Sequence, residues 1–159
     1  MKWKYSPPVL LILIPWLMIL PFLCSFAQLE QLSQWLFEYS TTPVYAAFPV
    51  VLVMNVLCAF FVPWDTEELA LWNRRIKLWL IPVYLFVLVF AVGVPLAVLF
   101  LFAFDALLLL VSSCYGLRAL VRVKKETQIS NTFFWLLCLC HFCFVADVIA
   151  AFILKRKIN

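Results

Sequence analysis

The sequence predicts an all-α fold: an integral membrane helical bundle of about five transmembrane helices, with a possible interfacial amphipathic helix. Three observations predict it. The first is composition. Of 159 residues, 67% are hydrophobic and 13% are charged, against about 45–50% and about 25% in soluble domains. A soluble chain of this length leaves too much surface exposed to hide so many apolar side chains. The second is that the apolar residues gather into runs, and about 20 helical residues cross a hydrocarbon core. The third is that the basic residues flank those runs, where lysine and arginine meet lipid phosphates. The net charge of +4 is therefore a membrane signal. No basic face with interleaved aromatics is present, so nucleic acid is not an expected partner.

The spans are expected at 8–27, 44–62, 76–92, 96–117 and 133–154. The first begins behind Lys2 and Lys4 and ends at Ser25-Phe26-Ala27, so it resembles a secretory signal with a small-x-small cleavage site. Pro15 and Pro21 and the length of its core favour a retained span. Segment 28–42 is more polar. Leu29, Leu32, Trp35 and Leu36 recur at helical spacing, which predicts either a helix lying at the membrane interface or an extension of the first span. Thr42-Pro43 is the expected start of the second span, with threonine as cap and proline in the first turn.

Segments 63–75 and 118–132 are the expected cytoplasmic loops. Asp65-Thr66-Glu67-Glu68 has the spacing of a capping box and predicts a helix start there. The apolar region 78–117 is twice the length of one crossing. It must turn back, and Val92-Gly93-Val94-Pro95 is the expected hairpin, with a turn near 102–105 as the alternative. Ser130 or Asn131 is placed to cap the last helix.

Lysine and arginine set the orientation. With five spans and a cytoplasmic N-terminus, Lys2, Lys4, Arg74, Arg75, Lys77, Arg118, Arg122, Lys124 and Lys125 lie inside. Only Lys155, Arg156 and Lys157 lie outside, which favours this orientation over its inverse. The expected location is a plasma or inner membrane. The terminal Lys-Arg-Lys-Ile-Asn also resembles a di-lysine retrieval signal of the endoplasmic reticulum, which is read from the cytosol and so conflicts with a tail outside.

Few residues in the spans carry chemistry. Asp105 and Asp147 lie inside apolar runs, where an ionisable group costs at least about 2.5–3.5 kcal/mol. Each needs a partner, a wet cavity or a proton. They read either as a proton- or cation-handling pair or as solvated groups near the outer surface, Asp147 then pairing with the basic tail. His141, the one histidine, is a candidate proton acceptor beside them or a plain interhelical hydrogen-bonder. Asn55, Ser112 and Ser113 are candidates for hydrogen bonds between helices. Cys140 and Cys143 form a C-x-x-C that would share one helical face with Asp147. Burial in an apolar run disfavours the thiolate such pairs need, so packing is the favoured role.

No phosphate loop, Ser-His-Asp set or H-E-x-x-H motif occurs. No extramembrane segment is long enough to house a soluble active site, so the expectation is a protein that is not an enzyme, without cofactor or metal. The expected partners are the lipid bilayer and another membrane protein or a second copy of the chain. The first functional expectation is a non-catalytic subunit acting by helix–helix contact. The alternative is a small oligomeric proton- or cation-coupled transporter or channel using Asp105, His141 and Asp147. An intramembrane thiol redox protein is third.

Overall fold

The computed structural model describes residues 2–93, 98–127, 129–141 and 144–158. A 3-10 turn, Lys2–Tyr5, leads into α1 (Ser6–Phe26), α2 (Glu30–Tyr39), α3 (Thr41–Phe61) and α4 (Thr66–Gly93). The chain continues with α5 (Val98–Thr127), α6 (Asn131–Cys140) and α7 (Phe144–Ile158). All regular structure among the described residues is helical. Three stretches, Trp3–Phe26, Thr41–Phe61 and Val98–Glu126, are helical, long and apolar enough to cross a membrane. Of the expected hairpin, Val94 and Pro95 lie outside the described residues; α4 ends and α5 begins on either side.

Helix α1 opens with Pro7 and Pro8, which need no partner for an amide in the first turn. The same two prolines deprive the Lys4 carbonyl of donors three and four residues on. The Cys58 thiol of α3 supplies one instead, at 3.5 Å. Gln28 takes a left-handed backbone, φ 59°, so α2 is a separate helix rather than an extension of α1. It folds onto α1 through Phe22 and Phe37, whose rings meet edge to face at 5.2 Å. Of its apolar stripe only Leu36 is buried; Leu29, Leu32 and Trp35 face outwards.

Helix α3 starts at Thr41, one residue before the expected cap. Ser40 precedes it with a helical backbone, φ −102° and ψ −27°, so its hydroxyl is turned back to α2. It donates to the Leu36 carbonyl, as does Thr41 at 3.2 Å. The sequence reading of Thr42 as cap is corrected by that continuity.

The end of α3 is closed by cations and an indole. Trp64 Nε1 donates to the Cys58 carbonyl at 2.9 Å. Arg118 on α5 donates to the carbonyls of Ala59 and, at 2.9 Å, Val62; Arg122 donates to that of Trp64. Guanidinium groups here satisfy carbonyls that the helix cannot and sit at its negative end. At the start of α4 the Asp65 amide donates to the Glu68 carboxylate at 3.4 Å, half of the expected capping box. Glu68 also accepts from Lys4 Nζ at 2.6 Å and Tyr5 Oη at 2.8 Å. The Thr66 hydroxyl donates to Glu126 at 2.8 Å, which sets α4 and α5 antiparallel.

The core lies between α1, α3, α4 and α5, with Leu11, Ala59, Ile76, Leu80, Leu108 and Tyr115 among its most buried members. Trp64 is 1% exposed and closes its lower end against Tyr5 and Tyr115.

The segment expected as one fifth span is two helices running in opposite directions. Two contacts fix α6: Lys124 sits over the Phe134 ring at 4.2 Å, and the Ser113 hydroxyl reaches the His141 carbonyl at 2.9 Å. Moving forward along α6 is therefore moving backward along α5. Two contacts fix α7: Asp147 meets Lys77, and Arg74 covers the Phe152 ring at 5.0 Å. Moving forward along α7 is moving backward along α4. Since α4 and α5 are antiparallel, α6 and α7 form a hairpin with His141 at its tip. The C-terminal residues return to the end of the bundle that holds Lys4, Thr66 and Glu126. All twelve lysines and arginines then belong to that half.

Two outcomes check this description. In a cysteine-free background, cysteines replacing Arg74 and Phe152 are expected to cross-link with a short bifunctional thiol reagent; one continuous helix from 133 to 154 would give no product. The Lys4 ammonium, with the Tyr5 hydroxyl, holds the Glu68 carboxyl below its ordinary value of 4.5. A lowered folded value adds stability above the unfolded value and loses it as pH falls through the folded one. The melting temperature in detergent is expected to drop below about pH 4.5, and Glu68→Gln to flatten that part of the profile.

Candidate functional site

Three ionisable side chains meet inside the apolar bundle. Lys77 is 2% exposed, and His141 and Asp147 are 1% exposed each. The Lys77 ammonium donates to Asp147 Oδ1 and lies 3.0 Å from His141 Nδ1 and 3.5 Å from the Asp147 carbonyl. His141 Nδ1 also meets Asp147 Oδ1. One carboxylate oxygen thus faces both nitrogens.

Each residue is there for a local reason. Lys77 lies on the inward face of α4 with Leu69, Asn73, Ile76, Leu80 and Tyr84, about 16 Å along the helix from its start. Asp147 occupies the first turn of α7, the positive end of that helix, which favours a carboxylate. His141 ends α6: its amide bonds the carbonyls of Leu137 and Cys138 at 3.2 Å each, and its own carbonyl takes the Ser113 hydroxyl.

Asn73 is fully buried, and neither its amide oxygen nor its nitrogen has a partner among the described residues; nor does His141 Nε2. Both residues crowd Gly116 on α5. A Cβ added there would lie 2.6 Å from His141 Cε1, 2.8 Å from His141 Nε2 and 2.8 Å from Asn73 Nδ2. Only glycine lets α5 approach the hairpin tip so closely.

The arrangement supports more than one protonation pattern. With Lys77 charged, Asp147 ionised and His141 neutral, Nδ1 either donates to the carboxylate or accepts from the ammonium, and Nε2 takes the complementary role. The same number of protons can be distributed as neutral lysine and imidazolium. An added proton has two sites, Asp147 and His141. The three groups lie within hydrogen-bond reach of one another, so a proton can be shared among them without a change in the backbone.

The structure brings together two of the sequence-derived candidates, His141 and Asp147, and separates them from the third. Asp105 stands with Tyr84 on a groove between the later part of α4 and the early part of α5. Tyr84 is about 10 Å along α4 from Lys77. The expected pairing of Asp147 with the basic tail is replaced by Lys77, because the hairpin turns Asp147 inwards. Asn55 is fully buried, and its amide is spent on architecture: Nδ2 donates to the carbonyls of Pro7 and Val51 at 2.8 Å each, and Oδ1 accepts from Tyr115 at 2.9 Å. Ser113 bridges two helices as expected, and so does Ser112, whose hydroxyl meets the Tyr84 side chain of α4 besides the carbonyl of Leu109 on its own helix.

Cys140 is the last residue of α6, and Cys143 lies outside the described residues. Helix α6 ends at Cys140 and Asp147 belongs to α7, so Cys140 and Asp147 do not share one helical face. Among the described residues no cluster of three or more His, Cys, Asp or Glu has a geometry that could hold a metal ion.

Lys77 was missed as a site residue because it follows Arg74-Arg75 and reads as part of a cytoplasmic basic cluster. The signal was its phase: it falls one turn after Asn73 and one turn before Leu80 and Tyr84, on the buried side.

A family model matches residues 8–159. The chain belongs to DUF6652, a family of unknown function. No curated protein and no solved structure matches it. Membership of this family thus assigns no activity, and the chemistry rests on the geometry.

Two outcomes test the cluster as a built unit. Gly116→Ala is expected to push His141 out of place and lower the melting temperature, with a shift of the histidine ring signals in NMR spectra of selectively labelled protein. Asp147→Asn is expected to cost about 3–5 kcal/mol, because it leaves a buried ammonium unpaired, while Lys77→Met combined with Asp147→Leu recovers most of that loss. Equal destabilisation by the single and the double variant would show that the pair is not coupled.

Proposed function

We propose that this chain is a multi-pass membrane protein that moves protons, alone or coupled to a solute, through the Lys77–Asp147–His141 cluster. In this reading α1, α3, α4 and α5 cross the bilayer, and α6–α7 is a re-entrant hairpin that enters and leaves on one side. Helix α2, with Leu29, Leu32 and Trp35 outward, lies at the opposite interface.

The observation that carries the proposal is the meeting of three buried ionisable groups at the tip of two half-length helices. Such a cluster is expensive at membrane depth, and a well-packed apolar contact of the same size would hold the hairpin as firmly. Non-helical backbone at that depth is tolerated where it is buried in protein or lines a cavity. Discontinuous helices whose ends face the bilayer centre are also how many transporters build their sites. The unpartnered His141 Nε2 gives an incoming proton a place to bind.

Orientation follows from charge. With the hairpin re-entrant, eleven of the twelve lysines and arginines fall on one side, which the positive-inside rule makes cytoplasmic, and the twelfth, Lys77, is in the buried cluster. Both termini are then cytoplasmic, and the conflict over the basic tail disappears. A plasma or inner membrane remains the proposed location. The cytosolic tail keeps the endoplasmic reticulum as the alternative.

A second reading, a contact subunit of a membrane complex, is favoured by a different feature. An aromatic groove of about 400 Å³ lies between α1, α3, α4 and α5, walled by Phe22, Phe48, Phe86, Phe90, Phe100 and Phe104. A helix of a partner or of a second copy fits such a groove.

Proton flux into proteoliposomes with an entrapped pH-sensitive dye, driven by a potassium diffusion potential, separates the two. Flux is expected with the wild-type chain and absent with Lys77→Met/Asp147→Leu, although that variant keeps a near-native melting temperature. Wild-type flux no greater than that of protein-free liposomes overturns the proton reading. Protease-protected tags on the two termini in intact cells test the topology; tags on opposite sides would sink the re-entrant hairpin.

A further inference from the structure

We propose that the groove between α4 and α5 binds a lipophilic organic cation, with the positive centre on Asp105 and the apolar body against the groove walls. The groove has a volume of about 360 Å³ and is lined by Tyr84, Leu85, Leu88, Phe102, Ala106 and Leu109 beside Asp105. That lies within the range of small-molecule sites, about 300–1,000 Å³. Asp105 and Tyr84 are its only polar side chains, and no residue of α6 or α7 lines it among the described residues. The site therefore lies beyond the hairpin tip, on the side away from the basic residues.

Charge decides the occupant. Asp105 Oδ1 is buried and has no hydrogen-bond partner among the described residues. The nearest basic side chain along α4, Lys77, is committed to Asp147. A neutral acyl chain or an apolar partner helix in the groove would leave that carboxyl oxygen without any polar partner. A bare metal cation needs a shell of oxygen ligands, six to eight for calcium, and the groove supplies one carboxylate and one phenol. An ammonium or phosphonium carried on an apolar body satisfies both halves. It pairs with Asp105, meets the aromatic faces of Tyr84 and Phe102 and buries its substituents against leucines.

Naming this cation as the transported solute rests on the proton-coupled reading; the binding itself does not. The test is accordingly a binding measurement on purified full-length protein in detergent, with tetraphenylphosphonium as probe. Saturable binding is expected, with no competition from a neutral aromatic molecule of similar size. Asp105→Asn is expected to weaken it about tenfold or more without lowering the melting temperature, since the buried Asp105 Oδ1 has no partner to lose among the described residues. Ala106→Trp, which fills the groove but keeps the charge, is expected to abolish it. Lys77→Met/Asp147→Leu is expected to bind as wild type, so loss of proton flux in that variant and loss of cation binding in Asp105→Asn are separate failures. Equal binding by Asp105→Asn, equal binding of the neutral molecule, or no binding by the wild type overturns the proposal. Displacement of the probe by choline or ethanolamine lipid headgroups, but by no free organic cation, would assign the groove to lipid and overturn it as well.

Discussion

Lys77 and Asp147 hold the hairpin of α6 and α7 against the rest of the bundle. Their side chains come from α4 and α7, 70 residues apart in sequence, and meet where neither has access to water. An ammonium alone in so buried a place would cost several kcal/mol, and so would a carboxylate. Together, with His141 against the same oxygen, they form a group that is tolerable only while α7 lies along α4. That constraint fixes the direction of α7, places His141 at the hairpin tip and demands glycine at position 116, where α5 passes. A buried ion pair adds little net stability compared with apolar packing. The pair ties the register of α7 to that of α4, because both charges are satisfied where Asp147 lies against Lys77.

The rest of the bundle obeys the same rule in a milder form. Backbone groups freed by prolines or by helix ends find partners from neighbouring helices. The Lys4 carbonyl, stripped of donors by Pro7 and Pro8, takes the Cys58 thiol. The open carbonyls after α3 take Arg118, Arg122 and the Trp64 indole. Asn55 ties α1 to α3 and, through Tyr115, to α5. In an apolar surround an unsatisfied amide has no water to fall back on, so these few side chains set the register of long helices whose packing faces are otherwise uniform. Asp105 Oδ1, like the Asn73 amide and His141 Nε2, departs from this pattern among the described residues, and Asp105 lines a groove.

Much of the architecture was legible in advance. The helix starts at Thr66 and Asn131 followed from capping chemistry, and the apolar lengths of α1, α3 and α5 followed from hydropathy. The hairpin of α6 and α7 was not legible in the same way, because an apolar run from 133 to 154 has the same composition whether it is straight or folded back. The one sign of it was electrostatic: three basic residues at the C-terminus on the wrong side of an otherwise consistent charge distribution. His141 and Asp147 were recognisable as buried polar residues from their surroundings in the sequence. Their partner was not, since a lysine beside two arginines reads as surface until its helical phase is taken into account.

The sequence by itself determined that the described chain is all helical, where α4 and α6 begin, and that its surface suits an apolar medium, because capping, proline placement and hydropathy act over a few residues at a time. The tertiary structure decided which polar groups meet. It paired Lys77 with Asp147, gave Asn55 over to architecture, set Asp105 apart and reversed the last helix. Those outcomes depend on contacts across 60 or 70 residues, where one charge among many apolar neighbours has no local pattern to announce its partner.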